Sequence, residues 1–167
     1  MKKIKQMKLN FYFLSSLILC LSQGNLKTFS QEIREYINHN NGHKYIITEQ
    51  MSWRSAQELA ETMGGYLVTI NDEVENNWLI KNFADENTNF LWIGLNDENK
   101  EGEFIWVNGE PVTYLNWADG EPNNNPQQGG ENWAVLNGKA NPFNRQEGTW
   151  SDAPRQAQLQ AIIEISQ

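Results

Sequence analysis

Between Ser52 and Gly65 the apolar positions Trp53, Ala56, Leu59, Ala60 and Met63 recur at helical spacing, whereas Phe90 to Leu95 is apolar almost without interruption. The first pattern predicts an amphipathic helix and the second a central strand buried on both faces. Ser52 is placed to cap the helix, and Gly64-Gly65 ends it by accepting a left-handed backbone. A second helix is expected from Asn71 or Asp72. Glu75 can complete a capping box with Asp72, and Val74, Trp78, Leu79 and Phe83 face inward. The other apolar runs are short and β-prone: 43–47, 66–70, 103–107, 133–136, 148–150 and 161–165. Asn108-Gly109 supplies a hairpin turn after the 103–107 run. Residues 25–42 form a polar lead-in with a weak helical pattern in Ile33, Tyr36 and Ile37.

The start of the chain follows a different rule. Lys2, Lys3, Lys5 and Lys8 precede an apolar run from Phe11 to Leu21, with small residues beyond it. This reads as a secretory signal over residues 1–24, too short to span a membrane as a helix. Cleavage fits after Gly24, with Ser30 as the alternative. Leu17-Ile18-Leu19-Cys20 also offers a lipoprotein reading, against which Leu19 stands where a small residue is usual. The mature chain is then secreted or extracytoplasmic. It keeps nine basic and twenty-one acidic residues, a net charge of −12, against −8 for the whole sequence. Such a balance argues against nucleic acid and anionic membranes as partners. Cys20, the only cysteine, lies in the signal, so the domain holds without disulfides.

Candidate chemistry sits in the long irregular segment 116–131, NWADGEPNNNPQQGGE, and just beyond it. Loops of this length without secondary structure are disordered or functional, and Trp117 and the flanking strands favour function. Glu121, Asn123, Glu131 and Asp152 offer three carboxylates and a carboxamide, the oxygen donors that calcium takes. Zinc is not indicated, because thiols are absent from the mature chain and only His39 and His43 are available. Glu121-Pro122 is a candidate cis peptide. Taken alone, the same acids also suit solvated loop charges.

The order of the pieces narrows the choice. Trp53…Ala56…Gly64-Gly65-Tyr66-Leu67, Trp92-Ile93-Gly94-Leu95, Asn116-Trp117…Gly120-Glu121-Pro122-Asn123, Glu131-Asn132, Trp150-Ser151-Asp152 and Ala161-Ile162-Ile163-Glu164 follow one another as in C-type lectin domains. The chain resembles that family along nearly all of its mature length. The resemblance implies an α+β C-type lectin fold over residues 43–167, with two helices flanking short antiparallel sheets and a long calcium-binding loop. It implies a calcium ion held by Glu121, Asn123, Glu131, Ser151 and Asp152. It also implies a sugar whose vicinal hydroxyls meet that ion and hydrogen-bond Glu121, Asn123, Glu131 and Ser151. Glu-Pro-Asn is the family form associated with mannose, glucose, N-acetylglucosamine and fucose. The implied partners are glycans or glycoproteins, and weak single sites would gain strength in a homo-oligomer. A second calcium site would draw on Asp97, Glu101, Asn124 and Asn132.

Two departures from the family pattern stand out. Ser151 occupies a position where sugar-binding members usually carry Asn, and its hydroxyl is shorter with a single proton to donate. Both family disulfides are also missing. Ala60 and Ile163 replace one pair and can simply pack, while Trp133 and Arg155 replace the other and could form a cation–π contact. A cysteine-free domain behind a Lys-rich signal is similar to bacterial members. No catalytic set is present in the sequence. Glu121 and Glu131 could mimic a glycosidase pair, but a calcium-bound carboxylate stays ionised and cannot serve as general acid. The expectation is therefore a lectin and not an enzyme, with a calcium-structured protein-binding or adhesion module as the alternative.

Overall fold

The computed structural model describes residues 35–166. The expected signal and Cys20 lie outside them, as does the first part of the lead-in. The elements follow in the order β1 (Glu35–Ile37), β2 (Lys44–Ile47), α1 (Trp53–Thr62), β3 (Tyr66–Leu67), α2 (Glu73–Phe83), β4 (Phe90–Asn96), β5 (Ile105–Trp106), β6 (Glu131–Asn137), β7 (Trp150–Pro154) and β8 (Gln160–Ile165). This is an α+β fold built on an eight-stranded sheet in the order β1-β2-β8-β4-β6-β7, with β3 paired to β8 and β5 to β4.

Helix α1 forms as its sequence dictates. The Ser52 hydroxyl accepts the Ser55 N–H, Trp53, Ala56 and Ala60 are buried, and Gly64 takes φ +78° beyond the end. Gly65 answers a different need: a Cβ there would lie 2.2 Å from the Glu164 carbonyl oxygen, so only glycine lets the chain pass strand β8. Strand β4 is the spine. Leu91, Trp92, Ile93 and Leu95 are buried, and the strand pairs antiparallel with β6 and parallel with β8. The parallel pair makes the sheet mixed, where antiparallel sheets were expected. Ala60 and Ile163 are both fully buried in one apolar cluster with Trp53, Trp92 and Trp133. Trp92 and Trp106 belong to the core, and Trp117 packs edge-on against Phe104 and Trp150.

Several expectations need correction. Ile37 and its neighbours form strand β1 against β2 and not a helix; Tyr36 packs edge-on against Phe83. Val74 is 63% exposed, and Glu75 and Asn76 take the inward positions of α2. They can do so because each is hydrogen-bonded there. Glu75 accepts from the Tyr45 hydroxyl and the Asn71 N–H, while Asn76 accepts from Trp150 Nε1 and donates to the Gly148 carbonyl. The Asp72 carboxylate caps α2 as expected through the Glu75 N–H, but the return bond from Glu75 reaches Asn71. The turn at Asn108-Gly109 closes onto Trp106, yet no strand follows it and β5 pairs back onto β4. The expected 66–70 strand is ladder-paired only at Tyr66–Leu67, and the 148–150 strand begins at Trp150. Arg155 is exposed; the guanidinium that lies over an aromatic ring is that of Arg145, 4.6 Å from the Phe143 centroid.

Candidate metal and ligand site

Strands β6 and β7 bring the predicted residues together. Antiparallel pairing sets Glu131 opposite Pro154 and Ala134 opposite Asp152, so two acids distant in sequence share one end of the ladder. The segment from Asn116 to Gly130 then folds over them, with one 3-10 turn at Pro126–Gln128. Asp152 organises this loop: its two carboxylate oxygens accept the N–H groups of Asn123 (3.0 Å) and Asn124 (2.7 Å). Glu131 does the same one residue on, accepting from the Asn125 N–H at 3.1 Å. Its own N–H donates to the Asn124 side chain at 2.8 Å, with Asn124 at φ +41°.

Glu121 closes the group. The Glu121-Pro122 peptide is cis. Asn123 Nδ2 donates to Glu121 Oε1 at 2.7 Å, and Arg145 forms an ion pair with the same oxygen. Glu121 Oε2 is buried and has no hydrogen-bond donor. The Asp152 carboxyl lies within hydrogen-bonding reach of Glu121, but two ionised carboxylates are both acceptors and satisfy each other only through a shared cation or proton. Burial, then the Asp152 carboxyl, push Glu121 up to about 7, with Arg145 opposing them. Burial likewise raises Glu131, against the Asn125 N–H that lowers it.

Ser151 is placed differently. It is fully buried, and its hydroxyl donates to Asn137 Oδ1 at 3.0 Å. Successive side chains of a strand point to opposite faces, so Ser151 and the neighbouring Asp152 serve different surroundings. Of the second group, Asp97 is 1% exposed. Its Oδ2 accepts the Gly102 N–H, its Oδ1 has no partner, and burial raises its pKa. The Asp97 N–H donates to the Asn132 carbonyl, whereas Glu101 is exposed on the turn.

Among the described residues no three acidic, histidine or cysteine side chains form an ion cage by themselves. An ion here would draw on carboxylates and amides together, as oxygen-loving calcium does. The orphaned Glu121 Oε2 and the neighbouring Asp152 carboxyl fit that demand. Arg145 is the site residue that sequence reasoning missed. Asn141 holds it in place, accepting the Arg145 N–H and donating to the Arg145 carbonyl. A lone arginine in a polar loop, 24 residues from its partner, carries no periodic signal.

The family model of the lectin C-type domain matches residues 49–162, and the chain belongs to the C-type lectin domain family. It is similar to the low affinity immunoglobulin epsilon Fc receptor of Mus musculus, at 37% identity over 119 residues that make up 71% of this chain and 32% of the receptor. It is therefore matched to about a third of that relative's length. Similarity to lectin BRA-3 of Megabalanus rosa is 35% over 125 residues, 72% of this chain and 70% of that protein. Among solved structures, the cow C-type carbohydrate-recognition domain of CD23, determined in the presence of a GlcNAc2Man3 oligosaccharide, superposes with a TM-score of 0.64 at 33% identity. That likeness covers 75% of this chain and 88% of the other.

Proposed function

We propose that the domain is a secreted calcium-dependent lectin that binds glycans or glycoproteins bearing mannose-, glucose-, N-acetylglucosamine- or fucose-type sugars. The observation that carries this reading is the buried Glu121 Oε2, which has no hydrogen-bond donor, on a side chain that lies within reach of the Asp152 carboxyl. Glu121, Asn123, Glu131 and Asp152 would hold the ion. Calcium supplies a Lewis-acidic point to which a sugar's hydroxyl oxygens can bind. The chain's own groups decide which hydroxyls fit: the Glu121 and Glu131 carboxylates accept hydroxyl protons, and the Asn123 amide donates. Ser151, committed to Asn137, is not counted among the ligands. Asp97 with Asn124 and Asn132 is a weaker second position, supported by the unpartnered Asp97 Oδ1.

Retention of the protein on mannan resin in calcium, with release by chelator and no retention on galactan, is the expected outcome. A protein that calcium stabilises against heat but that binds no glycan would instead favour a calcium-structured adhesion module.

A further inference from the structure

A groove of 320 Å³ opens beside the loop, and Asn123, Glu131 and Asp152 line it. Asn125, Gln128 and Arg145 also line it, and its apolar wall is formed by Phe90, Pro142, Phe143, Pro154 and Leu159 among others. Phe143 is 60% exposed, tilted against Phe90 with centroids 6.1 Å apart. Arg145 joins the two parts, paired to Glu121 and lying over the Phe143 ring. A concave, mostly apolar wall beside a few convergent polar groups is the usual make-up of a ligand pocket.

We propose that this groove takes an apolar aglycone, an alkyl or acyl chain joined to the sugar that the calcium site holds; the proposal rests on the lectin reading. Continuity carries it, because the residues that would meet the sugar also line the groove. The chemistry of the wall selects the occupant. Beyond Asn125, Gln128 and Arg145, a second sugar would bring hydroxyls against Phe90, Pro142, Phe143, Pro154 and Leu159, whose side chains can neither donate nor accept, and desolvating them there is costly. Methylene groups gain from the same surface. Burying three of them corresponds to roughly fiftyfold in affinity.

The test is calorimetric titration of the full secreted protein, in calcium and in chelator, with methyl mannoside, octyl mannoside below its micelle concentration, and a methyl-capped dimannoside. Octyl mannoside is expected to bind at least tenfold more tightly than the methyl glycoside, only in calcium, and Phe143→Ala is expected to bring the ratio of the two affinities toward one. Equal affinity for both glycosides overturns the proposal, as does an octyl advantage that survives Phe143→Ala. A dimannoside gain that matches the octyl gain and is lost in Phe143→Ala replaces the aglycone by a second sugar and also overturns it. Octyl binding that chelator leaves intact, with no methyl glycoside binding, sinks the lectin reading and leaves the groove standing. Binding by none of the three overturns both.

Discussion

Arg145 and Glu121 form an ion pair within the loop site, with side chains 19% and 3% exposed. The guanidinium is the one cation among the described residues recorded against these acids, and it offsets part of the charge that Glu121, Glu131 and Asp152 bring together. Removing one partner of a buried pair leaves the other uncompensated. Arg145→Gln is expected to destabilise the calcium-free protein by roughly 2 kcal/mol. The deficit should shrink in saturating calcium, where the metal supplies the missing positive charge. Thermal melts of both proteins in chelator and in calcium check this; an equal deficit in both would show that Arg145 acts only as packing.

Ser151→Ala tests whether this hydroxyl belongs to the site. Its donation to the buried Asn137 Oδ1 predicts a stability loss of about 1 kcal/mol, measured by denaturant unfolding. Calcium affinity should stay within about twofold of the parent, because the hydroxyl serves Asn137. A tenfold loss of calcium affinity would return Ser151 to the ligand set.

Glu75 gives a pH signature outside the 116–131 loop. Burial holds its carboxyl above the ordinary range, while the Tyr45 hydroxyl and the Asn71 N–H pull it down. A raised folded-state pKa stabilises the fold most fully below the unfolded value of about 4.3, and that contribution is lost as pH rises through the folded value. Glu75→Gln removes the titration. The melting temperature of the variant relative to the parent should therefore move upward between pH 4 and pH 7, whatever its offset at pH 4. A difference that is flat or falls over that range contradicts the assignment.

Where burial follows hydrophobic period, the sequence was a sufficient guide. Trp53, Ala56 and Ala60 announce the inner face of α1, and Leu91 to Leu95 announce the central strand. The candidate ligands were legible from oxygen chemistry and family order, and the structure places Glu121, Asn123, Glu131 and Asp152 together. What escaped was burial by hydrogen bond. Asn76 is 2% exposed because Trp150 and Gly148 satisfy its amide, and no hydropathy pattern reports such partners. Strand β1 escaped because three residues are too few to show a period. Arg145 escaped because its place depends on how Asn141 folds the loop between β6 and β7.

Under the proposed function, one loop reads the hydroxyls of a sugar on calcium through Glu121 and Asn123. Exchanging the acid and amide by Glu121→Gln with Asn123→Asp keeps oxygen donors in both positions and reverses which side accepts and which donates. Retention of parent and double variant on mannan and galactan resins in calcium measures the claim directly. The parent is expected to bind mannan and the variant to shift toward galactan, both released by chelator. Unchanged selectivity, or retention that chelator does not reverse, would contradict it.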